Sequence, residues 1–259
     1  MEPVAGTDMQ ELTLFLKRDY ANNLYFFTYL DETGWRKPRD PGVTVLVGRG
    51  RGAITVAILI SPVHCCVSAS DISVIDRIGQ DLPEIRSAHI LGRSDFTRKL
   101  VDVATGPQRK VTPYSFCKLD PRRLPQRTDS SSLRASPSDI PDLIRFYRGT
   151  DMLLNCEARL PSILGFGTVY FVRQDGEVVS CALTTTETAD MAMVGSVYTG
   201  PAYRRKGFAR GCTLSLCRDL VSRGKEVYLF HQEDDPVLSR MYHDIGFDRI
   251  GSWAMATAF

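Results

Sequence analysis

The sequence predicts an α/β (α+β) protein of two domains, on three observations. The chain has 259 residues, enough for two separate cores. Runs rich in β-branched residues alternate with stretches whose apolar residues recur every three or four positions. Residues 120–132, Asp-Pro-Arg-Arg-Leu-Pro-Gln-Arg-Thr-Asp-Ser-Ser-Ser, collect proline, charge and serine without periodicity and read as a linker. The boundary is set there, with an N-terminal α/β domain over 1–125 and a C-terminal domain over 131–259.

Each element has its own local reason. Thr7 and Gln10 have capping-box spacing ahead of an apolar stripe, Leu12, Phe15, Leu16 and Tyr20, so a first helix is expected from about Thr7. Strands follow at Val43–Val47 and Ala53–Ile60, joined by Gly48-Arg49-Gly50-Arg51-Gly52 as a hairpin turn. Helices are expected over Ala69–Ile78 and Asp95–Val103, strands over Ser87–Leu91 and Val111–Leu119. Past the linker come a short strand at Leu133–Ala135 and a helix capped by Ser136 and Asp139, with Pro137 at its first position. Asp151–Ile163 reads as helix plus loop. Three strands, Thr168–Arg173, Val178–Thr186 and Met191–Thr199, are then joined by hairpin turns.

Composition excludes several classes. An apolar share of 43% with 24% charge is that of a globular chain rather than a disordered or fibrous one. A net charge of +2, from 32 basic and 30 acidic residues, gives no case for nucleic acid or an anionic membrane as partner. The apolar run Ala53–Ile60 is too short to span a bilayer, and Met1–Gln10 does not have the pattern of a secretory leader. Seven cysteines, an odd number without C-x-x-C spacing, point to reduced thiols in a cytoplasm rather than disulfides or a zinc site. The four histidines show no ligand spacing, so no metal is expected.

The chemistry concentrates after the third of those strands. Gly200-Pro201 turns the chain, and a helix is expected from about Gly207 to Arg223 with Ala209, Cys212, Leu216 and Leu220 on its apolar face. The first turn of a helix leaves backbone N–H groups without partners, and the helix dipole adds positive charge there. Gly207 and Ala209 let an anion reach that backbone, and Arg204, Arg205 and Lys206 add charge at its mouth. A diphosphate suits such a site. The pattern is neither G-x-G-x-x-G nor a P-loop.

These residues resemble a known family. Arg204-Arg205-Lys206-Gly207-Phe208-Ala209 matches the [QR]-x-x-G-x-[GA] motif of the GNAT N-acetyltransferase superfamily. Two flanking pieces are also similar: Val197-x-Thr199-x-Pro201-x-Tyr203, and Asp235-Pro-x-x-x-Arg-Met-Tyr-x-x-Ile-Gly-Phe247. The resemblance covers roughly residues 131–259. It implies a GNAT-type mixed sheet flanked by helices in the C-terminal domain, and acetyl-CoA as co-substrate. Its expected contacts are residues Arg204, Arg205, Lys206, Gly207, Phe208 and Ala209, the backbone of Val197 and Thr199 beside a splayed strand pair, and Asp235. Many relatives have asparagine where this chain has Asp235, and both residues can cap a helix. The N-terminal half is expected to be a degenerate copy of the same fold.

Tyr242 shares a helix face with Leu238, Met241 and Ile245. By the resemblance it is the general acid that protonates the departing thiolate; a phenol, with a reference pKa of about 10, carries the needed proton at neutral pH. The base stays open between Glu157, Glu187, Asp190, His231 and a water chain, because Met191–Ser196 holds no carboxylate. The expected activity is transfer of an acetyl group to a primary amine by direct attack in a ternary complex. A small-molecule acceptor is preferred to a protein. The alternative is a non-catalytic acyl-CoA-binding regulatory module.

Overall fold

The computed structural model describes residues 1–31, 34–35, 42–126 and 131–258. The chain folds as two compact units. Unit 1 holds Met1–Ser115, Gln232–Asp234 and Gly251–Phe259; unit 2 holds Phe116–His231 and Asp235–Ile250. These limits differ from a single cut in the linker. The last strand accounts for part of the difference, since its second half pairs within unit 1. Residues 127–130 of the predicted linker lie outside the described residues.

Unit 1 contains α1 (Met9–Lys17), β1 (Thr44–Gly50), β2 (Ala53–Ile60), β3 (His64–Ala69), α2 (Ile72–Ile78), β4 (His89–Arg93), α3 (Ser94–Val103) and most of β5 (Arg109–Leu119). β1, β2 and β3 form an antiparallel meander, and β4 joins β3 in parallel. The β1–β2 hairpin turns on Arg51 and Gly52, both left-handed (φ 51° and 81°), the geometry of a two-residue hairpin loop. The predicted cap at Thr7 is corrected: Asp8 accepts from the Ala5 N–H at 3.1 Å, and a 3-10 turn, Gly6–Asp8, precedes α1. β3 was not expected. The helix predicted from Ala69 begins only at Ile72, capped by Asp71, whose side chain accepts from the Ser73 N–H at 2.9 Å. Val56, Ile58, Cys65, Val67, Ile75, Phe96 and Leu100 close one core.

Unit 2 contains β6 (Ser132–Arg134), α4 (Ile140–Tyr147), α5 (Cys156–Phe166), β7 (Val169–Gln174), β8 (Glu177–Glu187), β9 (Met191–Thr199), α6 (Phe208–Ser222), β10 (Glu226–Gln232), α7 (Pro236–Ile245) and the start of β11 (Phe247–Ala258). The sheet order is β10-β9-β8-β7-β6, with only β9–β10 parallel. Neighbouring residues on a strand point to opposite faces, and both faces are covered. Phe171 and Cys181 pack with α4 and α5, while Val172 and Ala182 pack with α6 and α7. All seven cysteines are free and buried. Among the described residues no helix is long and apolar enough to cross a membrane.

Candidate active site

The site starts where two parallel strands part. β9 and β10 keep register from Met191↔Glu226 to Val194↔Leu229, yet β9 runs on to Thr199 and β10 to Gln232. The parting coincides with a β-bulge. Gly195 faces Leu183 and Tyr198 faces Cys181, so β9 carries one residue more than β8 between them. Ser196 absorbs it in the left-handed region (φ 47°), which is uncommon for serine. The hydroxyl of the fully buried Tyr147 donates to the Ser196 carbonyl oxygen at 2.6 Å and fixes this conformation. Val197, next along, packs on the core under the cleft. Gly200 N–H bonds to Val179 O at 3.0 Å, and by alternation the backbone of Thr199 faces away from β8. Its carbonyl oxygen accepts from Arg204 Nε at 3.2 Å.

Gly200 to Gly207 then lead into α6. Gly207, at φ 83°, is the cap residue, and no side chain caps the helix. The first bond closing the helix is Gly211 N–H to Gly207 O, 2.9 Å, which leaves the N–H groups of Phe208, Ala209 and Arg210 pointing out of the N-terminus. A Cβ on Gly207 would meet nothing within 4 Å, so the mouth of the helix is open. Arg204 lies over the Tyr198 ring (5.9 Å) and Lys206 over the Tyr203 ring (5.3 Å); Arg205, exposed and left-handed (φ 62°), has no side-chain partner among the described residues. Phe208 anchors the loop to the core through its ring. The result is a positively charged loop around an uncapped helix end.

α7 supplies the third part. Asp235 Oδ1 accepts from the Val237 and Leu238 N–H groups, both at 2.9 Å, so that oxygen caps the helix. Tyr242 is buried, with its ring 5.4 Å from the His231 ring and 6.0 Å from Phe247. Among the described residues its hydroxyl has no hydrogen-bond partner and, unlike Thr213 Oγ1, is not sealed from solvent. Burial, more than the neighbouring Cys217, Cys117 and Asp235, pushes the phenol well above its usual range, so it holds its proton. His231 is itself buried and lies on β10 beyond the last β9–β10 pair.

Of the carboxylates considered as bases, Glu187 and Glu157 are engaged by other groups. Glu187 is buried, ion-paired to Arg223 (2.5 Å) and Lys225 (3.6 Å), and accepts from the Thr168 and Thr184 hydroxyls at 3.2 Å each. Glu157 is exposed; its own backbone, the Cys156 thiol and Arg148 (3.2 Å) hold its carboxyl below the usual range. Asp190 is exposed at the β8–β9 turn. Burial pushes the Cys117 thiol up to about 11 and the Cys212 thiol to about 12, which disfavours the thiolate at both. Sequence reasoning missed Ser196 and Tyr147. A glycine–serine pair inside a strand was the available signal for the first; nothing local marked the second. Among the described residues no cluster of His, Cys, Asp and Glu could hold a metal.

Residues 173–255 match the family model of FR47-like proteins. Among curated proteins no sequence match is found. Solved structures match over the whole length. A Drosophila protein is 12% identical with a TM-score of 0.73, over 100% of this chain and 98% of its own. A GCN5-related N-acetyltransferase-like protein from Streptococcus suis is 12% identical with a TM-score of 0.65, over 98% and 100%. A tandem GNAT protein from the clavulanic acid biosynthesis pathway is 11% identical with a TM-score of 0.57, over 99% and 97%. The chain therefore carries the fold of the GNAT N-acetyltransferases along its whole length, and its FR47-like segment contains the candidate-site residues from Ser196 to Tyr242, but not Tyr147.

Proposed function

We propose that the protein transfers an acetyl group from acetyl-CoA to a small primary amine by direct attack in a ternary complex. The observation that carries this reading is the parting of β9 from β10 after Val194↔Leu229 in front of an uncapped, cation-rimmed helix end at Gly207. The N–H groups of 208–210, with Arg204, Arg205 and Lys206, receive the diphosphate; hydrogen bonds to charged groups contribute about 1.5–3 kcal/mol each. The pantetheine arm lies along Val197 and Thr199, where it finds backbone groups. Backbone N–H groups at the Ser196 bulge stabilise the developing oxyanion. Tyr242 returns a proton to the leaving thiolate. Holding amine and thioester together supplies much of the remaining rate. The free thiols go with a reducing, cytoplasmic setting.

Calorimetric titration of acetyl-CoA tests the site, with Gly207→Ala and Gly207→Glu side by side. Both variants carry the backbone strain of a left-handed non-glycine, but only the second places a carboxylate where the diphosphate lies. Binding retained in the first and lost in the second supports the reading. A wild-type protein that does not bind overturns it. An amine panel with a lysine peptide beside it, read by thiol release, then tests the acceptor class.

One observation favours a second reading, an acyl-CoA-binding module without turnover: Glu187 and Glu157 are both engaged in ion pairs, and β9 has no carboxylate. Tyr242→Phe separates the two, since loss of turnover with binding intact belongs to an enzyme.

A further inference from the structure

Unit 1 contains a cleft of its own. β3 and β4 pair in parallel only at His64↔His89 and Cys65↔Ile90, while β3 continues to Ala69 and β4 to Arg93. Ser70 N–H bonds to Thr55 O at 2.8 Å, so by alternation Val67 and Ala69 turn their backbone groups away from β2, toward the opening. A cavity of about 260 Å3 lies there, with Val67–Ser70 and Arg93 on its walls and Phe15, Arg18, Asp19, Asn22, Asn23 and Phe96 closing it.

The cleft does not suit a CoA diphosphate. Only Ser70 and Asp71 separate β3 from α2, and the Asp71 carboxylate occupies the helix end through the Ser73 N–H and hydroxyl. It does present other polar groups. Asn23 is 4% exposed; its Nδ2 donates to Leu16 O at 2.9 Å, and among the described residues its Oδ1 has no partner and is not sealed. The same holds for the hydroxyl of Ser68, 6% exposed. Asn23 and Ser68 both line the cavity, and a polar ligand there can use the hydrogen-bonding capacity these atoms have left. Asp19 accepts from Asn22 Nδ2 at 2.9 Å and lies 3.8 Å from Arg93, which is held by Asp95 in two bonds of 2.8 and 2.6 Å. Arg18 lies at 5.8 Å over the Phe15 ring and has no ion pair among the described residues.

We propose that this cleft binds a small zwitterion of the free amino acid class. Asn23 Oδ1 and the Asp19 carboxylate receive the ammonium group, Arg18 the carboxylate, and Phe15 and Phe96 flank the side chain. A purely anionic ligand would face Asp19 and a purely cationic one Arg18; a zwitterion satisfies both. The inference is independent of acetyl transfer, because it concerns unit 1 and requires no CoA.

The test is a binding screen of the full chain, without CoA, against the standard amino acids at millimolar concentration. Hits are repeated as their carboxamide and N-acetyl forms. At least one free amino acid should bind, each capped form about tenfold or more weaker, and Arg18→Ala, at an exposed position, weaker by a similar factor. Hydrogen exchange should slow at residues 15–23 and 67–70. The proposal is overturned by an empty screen, by capped forms that bind equally well, by binding indifferent to Arg18→Ala, or by protection confined to 191–199.

Discussion

In unit 1 the parallel pair β3–β4 loses register after Cys65↔Ile90; in unit 2 the pair β9–β10 does so after Val194↔Leu229. Both openings expose strand backbone, and in each case the first strand of the pair leads into a helix. What differs is the helix end. α2 is capped by its own Asp71, whereas α6 starts at Gly207 with no side-chain cap and three cations just before it. The comparison teaches that an opened sheet provides a cleft, but the residue at the helix N-terminus decides whether a diphosphate can lie across its mouth.

The sharpest way to break the comparison is at that residue. Gly207→Glu should weaken acetyl-CoA binding by about a hundredfold or more, while Gly207→Ala costs about 1 kcal/mol of stability for its left-handed backbone and keeps binding. Asp71→Gly uncaps α2 but supplies no basic loop; a second equivalent of acetyl-CoA in calorimetry would break the comparison from the other side. Next in size, Tyr242→Phe should lower kcat about a hundredfold with acetyl-CoA affinity unchanged. With Tyr242 as the proposed acid, the raised phenol stays protonated through the neutral range, so wild-type kcat should not fall between pH 7 and about 9. A smaller effect is expected at the buried carboxylate of unit 2. Arg223→Ala removes the closer of the two cations beside Glu187 and should cost about 2 kcal/mol in urea unfolding, discounted for the partial exposure of Arg223. Activity per folded molecule should be kept; its loss would return Glu187 to the candidates for the base. Smallest, Asp235→Ala should cost about 1 kcal/mol and Asp235→Asn only a few tenths, since asparagine caps as well.

Much of this was legible locally. Gln174-Asp175-Gly176 and the glycine-rich stretch 48–52 announced their hairpins, because paired left-handed residues favour glycine and tolerate aspartate, although Gly48–Gly50 belong to β1 and only Arg51 and Gly52 turn. The turn before α6, α6 itself and α7 were legible because caps, glycine stops and apolar faces are set within a few residues. β3 was not: His-Cys-Cys-Val-Ser-Ala has a single β-branched residue, and its strand state comes from pairing with β2 and β4. β11 escaped for the same reason, its glycine, serine and alanines being held by partners distant in sequence. The bulge at Ser196 depends on a hydroxyl from α4, and the unit 1 cavity on residues drawn from three stretches of chain. Such features reside in tertiary contacts, which no local window contains.

β11 has a consequence for how the molecule is made. Its residues Trp253–Thr257 pair antiparallel with Arg93–His89, deep in the sequence of unit 1. A unit whose residues mostly precede those of its neighbour in the chain ordinarily folds before it, but this one must wait for a strand encoded some 160 residues after β4. At ordinary elongation rates that delay is roughly ten to thirty seconds. Through that interval β4 offers an unpaired edge, a template for other strands. A chain released just short of Trp253 would therefore injure the unit whose other strands were synthesised long before.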